Sequence, residues 1–283
     1  MIKYILEDSP LVTAILDLRF SEIPSKKITD GLEDFKNKMF SLGYSIQHES
    51  KFSQINATPE INGQLQLNSI ETSRWDFLNI SRTSSVILTN GSLCLRTTKY
   101  TCFEQFKTDW SKVIDTFFNS FEDVQNAGMT RMGLRHIDIF LAQENEKYTN
   151  YISKKWLNQA LLEASDNTLC NNKQIIVTEH GKLRVELEER LPENNSINLF
   201  PYDISDPEPL SINVDIKPKW MTATPTKYAL LDIDHAWEAG SNIIELSKTN
   251  IESKLNNLHQ DSSNLFWDYL SEHAESVWGK RPI

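Results

Sequence analysis

Two hydrophobic periods alternate along this chain in the same order twice, and that order restricts its fold more than any other feature. Apolar residues recurring at i, i+3/i+4 and i+7 line one face of a helix, whereas strict apolar–polar alternation lines one face of a strand. Ile28, Leu32, Phe35 and Met39 form a first helical stripe, ended by Gly43. Phe103, Phe106, Trp110, Val113, Ile114, Phe117 and Phe121 form a second, and an aromatic stripe of this kind is read as core. Ile152, Trp156, Leu157, Ala160 and Leu161 predict a short third helix over 152–164. Ile244, Ile251, Leu255, Leu258, Leu265, Phe266, Tyr269 and Leu270 predict a long C-terminal helix, with an interruption expected before Ser262.

Alternating or β-branched runs predict strands at 11–20, 75–81, 86–89, 92–98, 133–142, 175–179, 183–188, 212–217 and 228–235. Asn90-Gly91 is a two-residue hairpin signal, and His180-Gly181 plays the same part later. The order predicts an α+β fold made of a duplicated strand–helix–four-strand–helix unit. The first repeat is expected over 1–127 and the second over 128–283, packed as one pseudo-symmetric unit. Such halves bury one face of an antiparallel sheet under helices and leave the other open. The stretch 192–209, with prolines at 192, 201, 207 and 209, predicts a surface excursion between strands.

Composition narrows the chemistry. With 39% hydrophobic residues in 283, the chain can bury a core of useful size. It has only nine glycines, and no G-x-G-x-x-G dinucleotide fingerprint. Its nearest approach to a phosphate loop, Gly128 to Gly133, runs on into Leu134 and Arg135, where that motif needs Lys and Ser/Thr. Neither a G-x-S-x-G elbow nor an H-E-x-x-H zinc motif occurs. Cys94, Cys102 and Cys170 form no C-x-x-C pair and suit free thiols in a reducing compartment. The N-terminal residues turn acidic too soon for a signal peptide, and no apolar run approaches ~18 residues. A cytoplasmic location is therefore expected. The basic tail over 278–283 reads as an exposed end.

Period-2 reading then sorts side chains between the two faces. On 11–20, Ala14, Leu16, Leu18 and Phe20 point to the helices, leaving Asp17 and Arg19 outward. On 133–142, Ile137, Ile139 and Leu141 are taken as inward, which leaves His136 and Asp138 outward and puts Arg135 in register with the apolar set. The remaining strands add Arg184, Glu186, Glu188, Asn213, Asp215, Asp232 and Asp234 to the open face. The net charge of −10 is distributed as −2 over 1–141 and −8 over 142–283. The expected candidate surface is thus an acidic face of Asp138, Glu186, Glu188, Asp215, Asp232 and Asp234, suited to a basic protein partner or a divalent cation.

Several segments together resemble a known family. They are Ser9-Pro10-Leu11-Val12 with the strand ending Leu18-Arg19, and Tyr100 and Trp110 about the second helix. Arg131-Met132-Gly133-Leu134-Arg135-His136-Ile137-Asp138, Leu230-Leu231-Asp232-Ile233-Asp234, and Leu258-His259 with Phe266 complete the set. They resemble an uncharacterised, sporadically distributed family of bacterial and archaeal proteins of similar length, over nearly the whole chain. That family usually has Arg-Tyr-Ile-Asn where this chain has Arg135-His136-Ile137-Asp138, so an ionisable pair replaces an aromatic and an amide. The resemblance implies no known activity, and its patchy distribution is similar to that of mobile defence and toxin–antitoxin genes. The element order also resembles the repeat of TATA-box-binding proteins, a saddle with an exposed concave sheet.

Three functions follow as expectations. The first is a non-catalytic binding subunit of a bacterial defence or toxin–antitoxin type system, meeting a partner protein encoded nearby through the acidic face. The second is a metal-dependent phosphoesterase or nuclease. There Asp232-x-Asp234 with His235, joined by Asp138 and Glu186, would hold Mg²⁺ or Mn²⁺, since i and i+2 on a strand share a face. No other cofactor is called for. The third is nucleic-acid binding through Arg74, Arg82, Arg96 and Lys99 in the less acidic half. Arg131 and Arg135 are read as structural, with Arg135 bridging to a carboxylate such as Asp234.

Overall fold

The computed structural model describes residues 4–59, 65–143, 146–157, 168–194, 196–204, 210–221, 223 and 225–282, apart from the side chains of 52–71. It is an α+β protein with a large antiparallel sheet and five helices among the described residues. The strands are β1 (Tyr4–Leu6), β2 (Leu11–Phe20), β3 (Ile46–Pro59), β4 (Leu65–Leu78), β5 (Ser84–Thr89), β6 (Ser92–Thr97), β7 (Gly128–Phe140), β8 (Asn171–Thr178), β9 (Gly181–Arg190), β10 (Tyr228–Glu238), β11 (Ile244–Glu245) and β12 (Lys280–Pro282). The helices are α1 (Ser25–Ser41), α2 (Phe103–Ser120), α3 (Pro218–Met221), α4 (Lys248–Tyr269) and α5 (Glu272–Val277).

The ten-stranded sheet runs β3-β4-β5-β6-β2-β7-β10-β9-β8, with β11 paired to the start of β7. β2 and β7 lie at its centre, in register from Leu16 opposite Leu134 to Ala14 opposite His136. The helical stripes pack on one face of this sheet. Ile28, Leu32, Phe35 and Met39 of α1 and Phe106, Trp110, Val113, Ile114 and Phe117 of α2 are all buried there. Gly31 lets the two helices approach, because a Cβ at that position would lie 2.2 Å from the Ser120 carbonyl oxygen. α4 runs uninterrupted through a buried Ser262 and serves both halves. Its Ile251, Leu255 and Leu258 join the core of β2 and β6, while Leu265 and Tyr269 join that of β9 and β10.

Several expectations change. The run 212–217 is not a strand but part of an irregular segment that crosses the opposite face of the sheet. The Asn213 amide N–H donates to the Arg82 carbonyl at 2.7 Å, and the Asn213 carbonyl accepts from the Thr98 hydroxyl at 2.6 Å. Over 148–156 the chain forms two short 3-10 turns where a helix is expected, and 158–164 of that helix lie outside the described residues. The C-terminal tail is not a free end, since β12 pairs with β1, Tyr4 opposite Pro282. Strand β3 was not foreseen.

Candidate functional site

The geometry of the open face begins with β7, which has burial on both sides. Met132, Leu134 and Phe140 project under the helices. Ile139 and Leu141 project the other way, into a separate cluster with Val12, Trp220, Tyr228 and Leu230, covered by Ile197, Leu199, Phe200 and Val214. The apolar run Ile137, Ile139, Leu141 therefore marks the face opposite the helices. Arg135 shares that face, and His136 and Asp138 lie on the helix side.

Arg131 and Arg135 thus enter a charge network on the open face. The Arg131 guanidinium lies over Gly133, where any Cβ would stand 2.7 Å from Nη1, and so reaches Asp17 on β2. Its Nη2 is 4.0 Å from Asp234. Arg135 grips Asp232 from Nε at 2.9 Å and Nη2 at 2.8 Å, and the ends of the same guanidinium hold Asp203 at 2.8 and 3.0 Å. Arg184 donates to Asp232 at 2.8 Å and to Glu186 at 2.9 Å, with Asp234 at 3.5 Å. Arg190 clamps Glu188 with bonds of 2.9 and 2.7 Å.

Burial raises the Asp232 carboxyl above the usual carboxylate range, although Arg135 and Arg184 pull the other way. The Arg135 fork instead holds the more exposed Asp203 below that range. Paired, half-buried arginines and carboxylates of this kind are held in fixed positions rather than solvated singly.

Glu186, Glu188, Asp232 and Asp234 stand on the open face as expected, but they do not form a negative surface, because arginines neutralise them in place. Asp215 is exposed on the irregular segment, away from any strand. Asp138 is a correction: it is 2% exposed and lies under the helices, so it offers nothing to a docking partner. Nor can it join Asp232 and Asp234 around one cation, since the sheet separates them. His235 too is on the helix side, its Nδ1 3.1 Å from the Leu258 carbonyl. Among the described residues no group of three or more His, Cys, Asp or Glu side chains is arranged to hold a metal ion.

The proposed nucleic-acid residues do not converge. Arg74 is locked on Asp76 by bonds of 2.6 to 3.0 Å. Arg82 occupies the β4–β5 turn with φ of 56°, Arg96 is buried beneath Phe200, and Lys99 lines a cleft on the helix side.

A second polar group occupies the seam between the two helix-side cores. Burial pushes Asp138 up to about 7 and His136 down to about 4. The Tyr100 ring stands edge-on to His136, with centroids 6.0 Å apart. Lys217, which donates to the Ser9 carbonyl and is lowered to about 8 by burial, acts on Asp138 through its charge and opposes the rise.

The sequence reads Arg131 and Arg135 as structural but puts Arg135 in register with the inward set and bridging a carboxylate such as Asp234; it lies on the open face and bridges Asp232 and Asp203, and Asp203 was not foreseen. The available signal was the opposite parity of Met132 and Leu134 on β7, which contradicts an inward Ile137–Ile139–Leu141 face. No protein-family model matches this chain, and no curated protein matches it in sequence.

Proposed function

We propose that this chain is a non-catalytic binding protein, a subunit of a bacterial defence or toxin–antitoxin type assembly, that engages a protein partner through the open face of its sheet. The row of fixed arginines and carboxylates from β2 to β9 carries this reading: Arg131 on Asp17, Arg135 on Asp232 and Asp203, and Arg184 on Asp232 and Glu186. Fixed charges of alternating sign select a partner by complementarity and penalise a mismatched one. They favour a protein with its own mixed charges over a uniformly basic surface or a polyanion.

The same proposal takes the fold as a duplicated unit like that of TATA-box-binding proteins, with the open face as the ligand face. The strand order supports it: outward from β2 come β6, β5, β4 and β3, and outward from β7 come β10, β9 and β8.

The test is capture by the tagged full chain in its native host, comparing wild type with the double variant Arg19→Glu, Asp234→Lys. Asp232 is left intact, because its removal strands two arginines and costs about 3–5 kcal/mol of stability. Loss of a discrete protein partner with an unchanged circular dichroism spectrum is the expected result. Undiminished capture by the variant rejects the reading.

A further inference from the structure

A cleft of about 440 Å³ opens on the helix side of the first half, remote from the charge network. The end of α1 (Ser41, Leu42), Tyr44, the β4–β5 turn, β6, the link 99–101 and the first turns of α2 enclose it. Its turn wall is held firmly. Asn79 Oδ1 accepts from the Thr83 and Ser84 amides at 2.8 and 3.1 Å, and the Tyr44 and Ser84 hydroxyls lie 3.0 Å apart. Leu95, Phe106 and Val113 form an apolar floor, and hydroxyls and amides line the rest.

Two features ask for a ligand. The Tyr100 phenol, raised above its usual range by burial, has no hydrogen-bond partner among the described residues, yet the residue lines the cleft. Tyr100 is only partly buried, so a ligand in the cleft can take the place of water at its hydroxyl. The second feature is local charge. Asp109 is already tied to Gln105 by two bonds of 3.1 Å and to Lys112 at 3.1 Å. Lys99 has no carboxylate within ion-pair distance among the described residues, so the cleft is net positive in a protein of charge −10.

We propose that this cleft binds a small hydroxylated organic anion, with the anionic group at Lys99 and the hydroxyls met by Tyr100, Thr97, Thr101 and Gln105. The volume lies within the roughly 300–1,000 Å³ range of small-molecule sites and accommodates a hexose phosphate or a sugar acid, but not a nucleic-acid strand. A carboxylate and a phosphate monoester share the required chemistry, and the experiment separates them.

The test is calorimetric titration of the full chain with glucose 6-phosphate, with gluconate and with uncharged glucose. Saturable binding of at least one anion, about tenfold or more tighter than glucose, is expected, and the anion that binds identifies the group recognised. Lys99→Gln, at an exposed position that leaves the core untouched, should weaken that binding about tenfold. Tyr100→Phe should weaken it to a lesser degree, and Lys154→Gln, far from the cleft, should leave it unchanged. Absence of saturable heat with both anions at millimolar concentration overturns the proposal. So does glucose binding as tightly as the anions, or undiminished binding by Lys99→Gln.

Discussion

Asp138 and His136 stand two residues apart on the helix-side face of β7, beneath the same helices and near Tyr100 and Lys217, and burial moves them in opposite directions. Asp138 titrates at about 7 in the folded chain and near 3.8 when unfolded, so between these values the native state holds the extra proton and stability falls as pH rises. His136 titrates at about 4 folded and near 6.5 unfolded, so over nearly the same range the unfolded state holds the extra proton and stability falls as pH drops. The two slopes oppose each other between about pH 4 and 6.5. Wild-type stability should therefore be nearly flat there. Asp138→Asn should unmask the histidine, giving a loss of up to roughly 3 kcal/mol on acidification from pH 6.5 to 4. His136→Gln should unmask the carboxyl, with a loss of similar size on going from pH 4 to 7. Urea unfolding of the three proteins across this range tests both signs. Parallel profiles for wild type and Asp138→Asn would show that Asp138 does not hold its proton in the fold.

The helix pair α1–α2 depends on a contact that no stripe of apolar residues announces. Gly31 meets the Ser120 carbonyl and the Phe121 ring, and a Cβ there would stand 2.2 Å and 2.6 Å from them. Helix propensity alone favours alanine over glycine by about 1 kcal/mol, so an uncrowded Gly31→Ala would stabilise α1. The crowding reverses the sign: the carbonyl is backbone, the helices must part, and overpacking of this kind costs about 1–3 kcal/mol. A lower denaturation midpoint for Gly31→Ala is expected, and a raised midpoint would contradict the close crossing. Gly133 differs, because the atoms a Cβ would meet are the guanidinium end of the Arg131 side chain and not backbone. At this scale the sequence was legible wherever one side of an element is buried. β2 and the stripes of α1 and α2 bury the residues their periods select. β7 was misread because core lies on both its sides, and period-2 alternation then names two apolar faces without saying which lies under the helices.

Across the whole molecule, the two expected repeats are not separable by core. Leu246, Ile251, Leu255 and Leu258 from the second half belong to the same apolar cluster as Leu16, Phe35 and Trp110 from the first. Asn213 ties the irregular segment to Arg82, Ser81 and Thr98. Fragments 1–127 and 128–283 expressed alone should therefore show poor amide dispersion and bind hydrophobic dyes, whereas mixing them should restore native spectra. A dispersed spectrum from either fragment alone would mean that the β2–β7 junction is an interface between independent domains. No helix among the described residues is long and apolar enough to cross a membrane.

By itself the sequence determined most of the element types, the antiparallel α+β class and most of the buried stripes, because helix and strand periods are local and are written in the spacing of apolar residues. Only the tertiary structure decided which charges meet. Arg135 finds Asp232 and Asp203, residues 97 and 68 positions away, and Asp138 disappears beneath the helices. Pairing between distant strands and the path of an irregular covering segment depend on packing of the whole sheet, and no local period encodes either.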